Sequence, residues 1–240
     1  MQGRGVTDIP LVSILIPAWN AGRYIAEAIE SCRRQTYPAI EICVAEDASD
    51  DDTYERAMEA AGDDPWCKVG RFPHGGQASS LNHALAMSTG DIIARIDADD
   101  SQHPERVAAQ VEMLLQGNAD IVTCGMAYMD EHGNIIKLCD VGPFDGDAYL
   151  EGKCSVCNAS SVSWRQVWER VGQWSVEHDV SCDTDWNLRT MAIGFRRVFL
   201  NRLWYFQRRH PGQMTKRLGT EMTAKFAELT AKYKAGGYAR

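Results

Sequence analysis

The 240-residue sequence has no uninterrupted apolar stretch long enough to span a bilayer, which takes about 20 residues as a helix, and no long basic run. Lys and Arg number 25 against 33 Asp and Glu, a formal charge of −8, so nucleic acid is not the expected partner. A polyanionic ligand remains compatible with an acidic chain where a metal ion stands between them. Residues Met1 to Pro10 lack the apolar core of a signal peptide, and the chain is expected to be cytoplasmic. Cys154 and Cys157 form a C-x-x-C, but no second pair exists to complete a zinc site. Most of the eight cysteines sit in apolar runs and read as small buried thiols, with disulfides unexpected in a reducing compartment. No Ser-His-Asp set or activated cysteine is evident, so covalent nucleophilic catalysis is not indicated. There is no internal repeat and no low-complexity segment.

What is present is a strand–helix alternation. Leu11 to Pro17 is a continuous apolar run, as a strand buried on both faces requires. Asn20 is placed to cap a helix with Ile25, Ala28, Ile29 and Cys32 on one face, ended by Tyr37-Pro38. Strands at 40–45, 69–72 and 92–96 alternate with helices toward Ala61 and through Leu81, Ala84 and Leu85. Pro104 suits the first position of a further helix carrying Val107, Val111, Leu114 and Leu115. This order predicts an α/β fold with a mostly parallel sheet whose ligands bind beyond the strands' carboxyl ends. The second half is less regular. It holds a hairpin about residues 131–134, helices at 166–171 and 183–193, strand and turn over 197–206, and a final amphipathic helix over 220–234. The stretch 143–180 carries no readable motif.

Four clusters could carry chemistry. Asp97-Ala98-Asp99-Asp100 ends a strand; such crowded carboxylates become favourable around Mg²⁺ or Mn²⁺, or else form a solvated turn. Glu46 to Asp52 ends another strand. Asp47 there is the candidate ligand residue, while Asp50, Asp51 and Asp52 read as helix-capping charge. Asp183 starts a helix, where the dipole favours a carboxylate, which suits a general base without requiring one. Arg208, Arg209 and His210 form a basic loop that could meet a diphosphate or a metal, or could be plain surface.

In order along the chain stand VSILIPAWN (12–20), QTYP (35–38), VAEDASDDDT (44–53), the block from Gly75 to Asp100, PERVAAQ (104–110), CDTDWNLR (182–189) and RRHPGQMT (208–215). This series resembles the family-2 glycosyltransferases of the GT-A fold over about residues 10 to 215. The resemblance implies an inverting transfer of sugar from a nucleoside diphosphate sugar, most often UDP-linked, to a hydroxyl acceptor that is carbohydrate or lipid-linked. It implies Pro17 and Trp19 against the base, Asp47 bonding it, and Asp97 near the ribose or metal. Asp99 and Asp100, with His210, would hold Mn²⁺ or Mg²⁺, Asp183 would be the base, and His210 with Arg208 nearby would close over the diphosphate or metal. One departure is Cys182 where the family pattern has Glu before the base.

The implied organisation is a tail (1–10), a GT-A domain (11–215) divided into a nucleotide-sugar half (11–118) and an acceptor half (119–215), and a C-terminal helix and tail (216–240). No membrane helices follow the domain, which argues against a processive synthase with its own pore. A sugar-1-phosphate nucleotidyltransferase is the enzymatic alternative, although PAWNAGRY (17–24) replaces the glycine-rich basic loop it favours. A non-catalytic sugar-nucleotide binder is the other. The 220–234 helix packs on its own domain, or meets a subunit or the inner membrane face through Lys225, Lys232 and Lys234.

Overall fold

Strands that are apolar at every position need cover on both faces. In the computed structural model, which describes residues 9–139 and 141–238, they have it. The first half runs β1 (Val12–Ala18), α1 (Ile25–Arg33), β2 (Ile40–Glu46), α2 (Thr53–Ala61), β3 (Cys67–Arg71), α3 (Gly76–Met87) and β4 (Ile92–Arg95). The second runs β5 (Ser101–Gln102), α4 (Arg106–Leu115), β6 (Ile121–Met129), β7 (Ile135–Leu138), α5 (Gly146–Leu150), β8 (Val162–Trp164), α6 (Arg165–Val171), α7 (Cys182–Ile193), β9 (Arg197–Arg208) and α8 (Met214–Lys234). One sheet carries the order β3-β2-β1-β4-β8-β6-β9-β5, with β7 paired to β6. β3, β2, β1 and β4 are mutually parallel; β8 joins β4 and β6 antiparallel, and β9 lies parallel to β6. The sheet therefore runs without a break across the expected division at residue 118.

Alternation along β1 splits the core in two. Ile14 and Ile16 face Ile25 and Ile29 of α1 and Val107 and Val111 of α4. Leu15 faces the other way, onto Leu81 and Ala84 of α3 and Trp168 and Trp186. All but the two tryptophans among these are at most 1% exposed, each side chain contributing about 2 kcal/mol of transfer free energy. α8 packs through Phe226, Leu229 and Tyr233 against Tyr149 and Leu188, so its apolar stripe is spent inside the molecule. Among the described residues no helix is long and apolar enough to cross a membrane.

Several local expectations change. Asn20 does not cap α1. It takes φ 49°, a conformation Asn tolerates better than most residues, and its Oδ1 accepts the Asp50 amide at 2.9 Å, which ties the loop after β1 to the loop after β2. Pro104 lies in the turn before α4, where its carbonyl accepts the Thr36 amide at 2.9 Å. α8 begins at Met214, so a boundary at 216 falls within its first turn. The motif-poor stretch supplies α5 and β8, the latter stitching the parallel and antiparallel halves together. Of the expected tail, residues 1–8 lie outside the described residues.

Two buried polar residues brace this frame. Arg106 donates to Gln102 Oε1 (2.6 Å), to the Ser160 carbonyl (2.8 Å) and to the Arg95 carbonyl (2.9 Å). Glu41 on β2 accepts from Ser13 Oγ (2.6 Å), Lys68 Nζ (2.6 Å) and the amides of Thr89 (2.5 Å) and Gly90 (3.0 Å). Burial alone would raise its pKa, but Lys68, Ser13 and Thr89 outweigh burial and hold it at about 2, against an ordinary 4.5. The depressed value stabilises the fold above pH 4.5, and that stabilisation is lost as the pH falls toward 2. Glu41→Gln is expected to remove about 3 kcal/mol at pH 7 and to flatten the acid limb, read by urea denaturation across pH 2–7.

Candidate active site

Parallel strands deliver their last residues to one edge of the sheet. Past β1 come Pro17 and Trp19, past β2 Asp47, and past β4 Asp97 and Asp99; the start of α7 adds Asp183 and the segment after β9 adds His210. All seven line one cleft of about 920 Å³.

Trp19 is 38% exposed. Its ring stacks on His74 at 5.2 Å, and the Arg217 guanidinium lies 5.3 Å from the same ring. Asp47 is buried at the mouth of α3. Its Oδ1 accepts the Gly75 amide at 2.9 Å and its Oδ2 the Gly76 amide at 3.0 Å, with His74 Nδ1 2.9 Å from Oδ2. Asp179 also reaches this helix end, accepting the Ala78 amide at 2.6 Å. These bonds leave Asp47 lone pairs for a further donor, since each carboxylate oxygen takes about two.

On the opposite side of the cleft Asp99 Oδ2 lies 2.8 Å from His210 Nε2, and the imidazole rests 5.0 Å from the Tyr24 ring. Asp97 is pushed up to about 6, chiefly by burial and then by the charges of Asp99 and Asp183, against the opposing pull of Arg95. Asp183 is held through Oδ1, which accepts from Arg95 Nη1 at 2.5 Å and Trp174 Nε1 at 3.3 Å. Among the described residues no group of three or more His, Cys, Asp or Glu converges as a preformed metal cage. Asp99 and His210 nevertheless fit an ion shared with a ligand. Mg²⁺-like cations are commonly held by one or two side chains, with phosphate oxygens and water completing the shell.

Asp100 and Arg208 are not brought into the cleft, which corrects the expectation for both. β5 and β9 pair over the turn and pull it inward. Asp100, 1% exposed, accepts Tyr205 Oη at 2.6 Å and the Arg208 amide at 2.8 Å. Burial and then the charges of Asp99 and Asp97 raise its pKa well above the ordinary range. Arg208, also 1% exposed, donates Nε to the Asp99 carbonyl at 2.9 Å and pairs Nη2 with Glu27 at 2.6 Å. It braces the Asp99 turn from behind.

Among the described residues Arg217 is the arginine that lines the cleft. It was missed because it sits in no motif. Arg95 was missed although a signal exists: a guanidinium inside the apolar strand IIARI cannot be buried without anionic partners. Cys182 is 1% exposed and packs with Trp168 and Trp186, in an apolar setting where a Glu would be costly. Burial raises its thiol well above the ordinary value, so it is unreactive.

A sequence model for glycosyl transferase family 2 matches residues 13–160, well over half of the chain. The chain belongs to that family, and its architecture is the GT-A fold. Among relatives, the hyaluronan synthase of Pasteurella multocida is 36% identical over 111 residues, covering 46% of this chain and 11% of that one. The chondroitin synthase of Escherichia coli is 26% identical over 194 residues, covering 78% and 27% respectively. The chain thus spans a minor part of these synthases. Staphylococcus aureus TarS bound to UDP superposes with a TM-score of 0.70 at 16% identity, covering 94% of this chain and 72% of that one. A Pyrobaculum calidifontis mannosyltransferase with GDP-Man and Mn²⁺ superposes at 0.67 and 19% identity, covering 94% and 69%.

The two arginines near the site should behave oppositely on substitution. Arg208→Met, which leaves the Asp99 carbonyl without its donor and removes the partner of the half-exposed Glu27, is expected to cost about 1–3 kcal/mol in urea denaturation. The exposed Arg217→Met is expected to change stability by no more than about 0.5 kcal/mol.

Proposed function

We propose that this chain transfers a sugar from a nucleoside diphosphate sugar to an acceptor hydroxyl with inversion at the anomeric carbon. The observation that carries the reading is the convergence of Asp47, Asp99 and Asp183 on one cleft in a member of this family. Carboxylates from three separate loops that line one hollow are placed to act together on a ligand.

Trp19 offers an aromatic face to a nucleobase, and Asp47 has lone pairs for a base N–H. UDP is the favoured nucleotide, since UDP occupies the TarS structure of the same fold. Asp99 and His210 would hold Mn²⁺ or Mg²⁺ against the diphosphate, where the ion supplies positive charge as the leaving group departs. Arg217 takes the cationic role first expected of Arg208, reaching from α8 toward the nucleotide side of the cleft. Asp183 lies in the first turn of α7 and is paired with Arg95. Its Oδ1 is engaged, and Oδ2 accepts the proton of the acceptor hydroxyl. Cys139, Val141 and Val156 also line the cleft and offer apolar surface to an acceptor.

Asp183→Asn is expected to leave the Kd for UDP within about twofold and to cut turnover by about 10²- to 10⁴-fold. Calorimetry and UDP-release kinetics on a panel of sugar nucleotides with Mn²⁺ measure both. Undiminished turnover removes Asp183 from the role, and pyrophosphate release in place of UDP marks a nucleotidyltransferase. Asp99→Ala is expected to abolish the Mn²⁺-dependent part of UDP affinity in titrations with and without the metal. An unchanged metal dependence overturns the Asp99 assignment.

A further inference from the structure

Arg95 is the last residue of β4, and only 2% of it is exposed in a strand that otherwise reads Ile-Ile-Ala. A guanidinium in such a place needs full compensation. Its Nη1 donates to Asp183 Oδ1 at 2.5 Å and its Nη2 to Asp97 Oδ1 at 3.3 Å. Its plane lies 5.4 Å from the Trp174 ring, and Trp174 Nε1 donates to the same Asp183 oxygen at 3.3 Å. Trp174 is fixed in turn by Trp168 at 4.1 Å, which stacks on Trp186 at 4.1 Å. The backbone of Arg95 is pinned as well: its amide donates to Ser161 at 3.1 Å and its carbonyl accepts Arg106 Nη2 at 2.9 Å. The guanidinium is therefore a rigid bridge between a carboxylate that follows β4 and one that starts α7.

We propose that Arg95 is a positioning residue for the transfer step. With Trp174 it immobilises Asp183 through Oδ1, so that Oδ2 is presented to the acceptor hydroxyl. This rests on the reading of Asp183 as base. In that step the acceptor O–H proton passes to Oδ2 while the acceptor oxygen bonds to the anomeric carbon. The bond from that carbon to the diphosphate oxygen breaks, and its electron pair leaves with the diphosphate. What Arg95 supplies to the step is a fixed geometry. A lysine could satisfy one carboxylate but lacks the planar fork that reaches two.

The test is a double-mutant cycle in the full chain, using Arg95→Met, Arg95→Lys, Asp183→Asn and the paired variants. The probe is whichever of UDP-glucose, UDP-galactose, UDP-glucuronate and the two UDP-N-acetylhexosamines the wild-type chain turns over fastest with Mn²⁺. Arg95→Met is expected to lower kcat about 100-fold while the Kd for UDP stays within about twofold. Arg95→Lys should recover part of the loss. Arg95→Met should cost far less in the Asp183→Asn background than in the wild type, any remainder being what its weaker 3.3 Å bond to Asp97 contributes. The proposal is overturned by an additive loss in the double variant, by a parallel loss of UDP affinity, or by full wild-type turnover in Arg95→Lys. If Arg95→Met does not fold by circular dichroism, the cycle on Arg95→Lys, which keeps the buried charge, decides the matter. Wild-type turnover in Asp183→Asn alone sinks the base assignment, and absence of UDP release from every donor sinks the transferase reading, so each failure is separately visible.

Discussion

Negative charge gathered at one edge of a sheet is the constraint around which this molecule is arranged. Parallel pairing of β1, β2 and β4 brings their carboxyl ends to the same side, and with them Asp47, Asp97 and Asp99. Left alone, such groups would protonate or push apart. The chain meets this with buried guanidinium groups, Arg95 between Asp97 and Asp183 and Arg208 beneath the Asp99 turn. Arg106 then holds Arg95 in place from the core side. Hydrophobic packing shapes the sheet, but the arginines decide where its acidic edge can rest.

The fold of the first half was legible because its signals are local. An apolar run such as Ile14-Leu15-Ile16 is a doubly covered strand wherever it occurs, and Asp47 follows β2 directly while Asp97 and Asp99 lie just past β4. Asp183 was legible as the start of a helix. The second half was harder to read because its pairings are distant. β8 has three residues and owes its existence to β4 and β6 on either side.

Asp100 and Arg208 show the limit of motif reading. Both stand beside residues that do face the cleft, so adjacency in sequence suggested a shared task. Which way a side chain turns was settled by the pairing of β5 with β9, a contact across 105 residues between Asp100 and Tyr205. Arg95 is the reverse case. It belongs to no motif cluster, yet topology sets it between two carboxylates that lie 86 positions apart in the chain, Asp97 and Asp183.

The mouth of α3 carries a last implication. In many nucleotide-binding folds the free amides at a helix start cradle phosphate. Here that seat is taken, with Asp47 on the amides of Gly75 and Gly76 and Asp179 on that of Ala78. The protein plugs its own anion hole. Under the proposed transfer, a leaving diphosphate would find no free backbone nest at this helix, and its charge would fall to side chains and any ion they hold rather than to a rigid cradle.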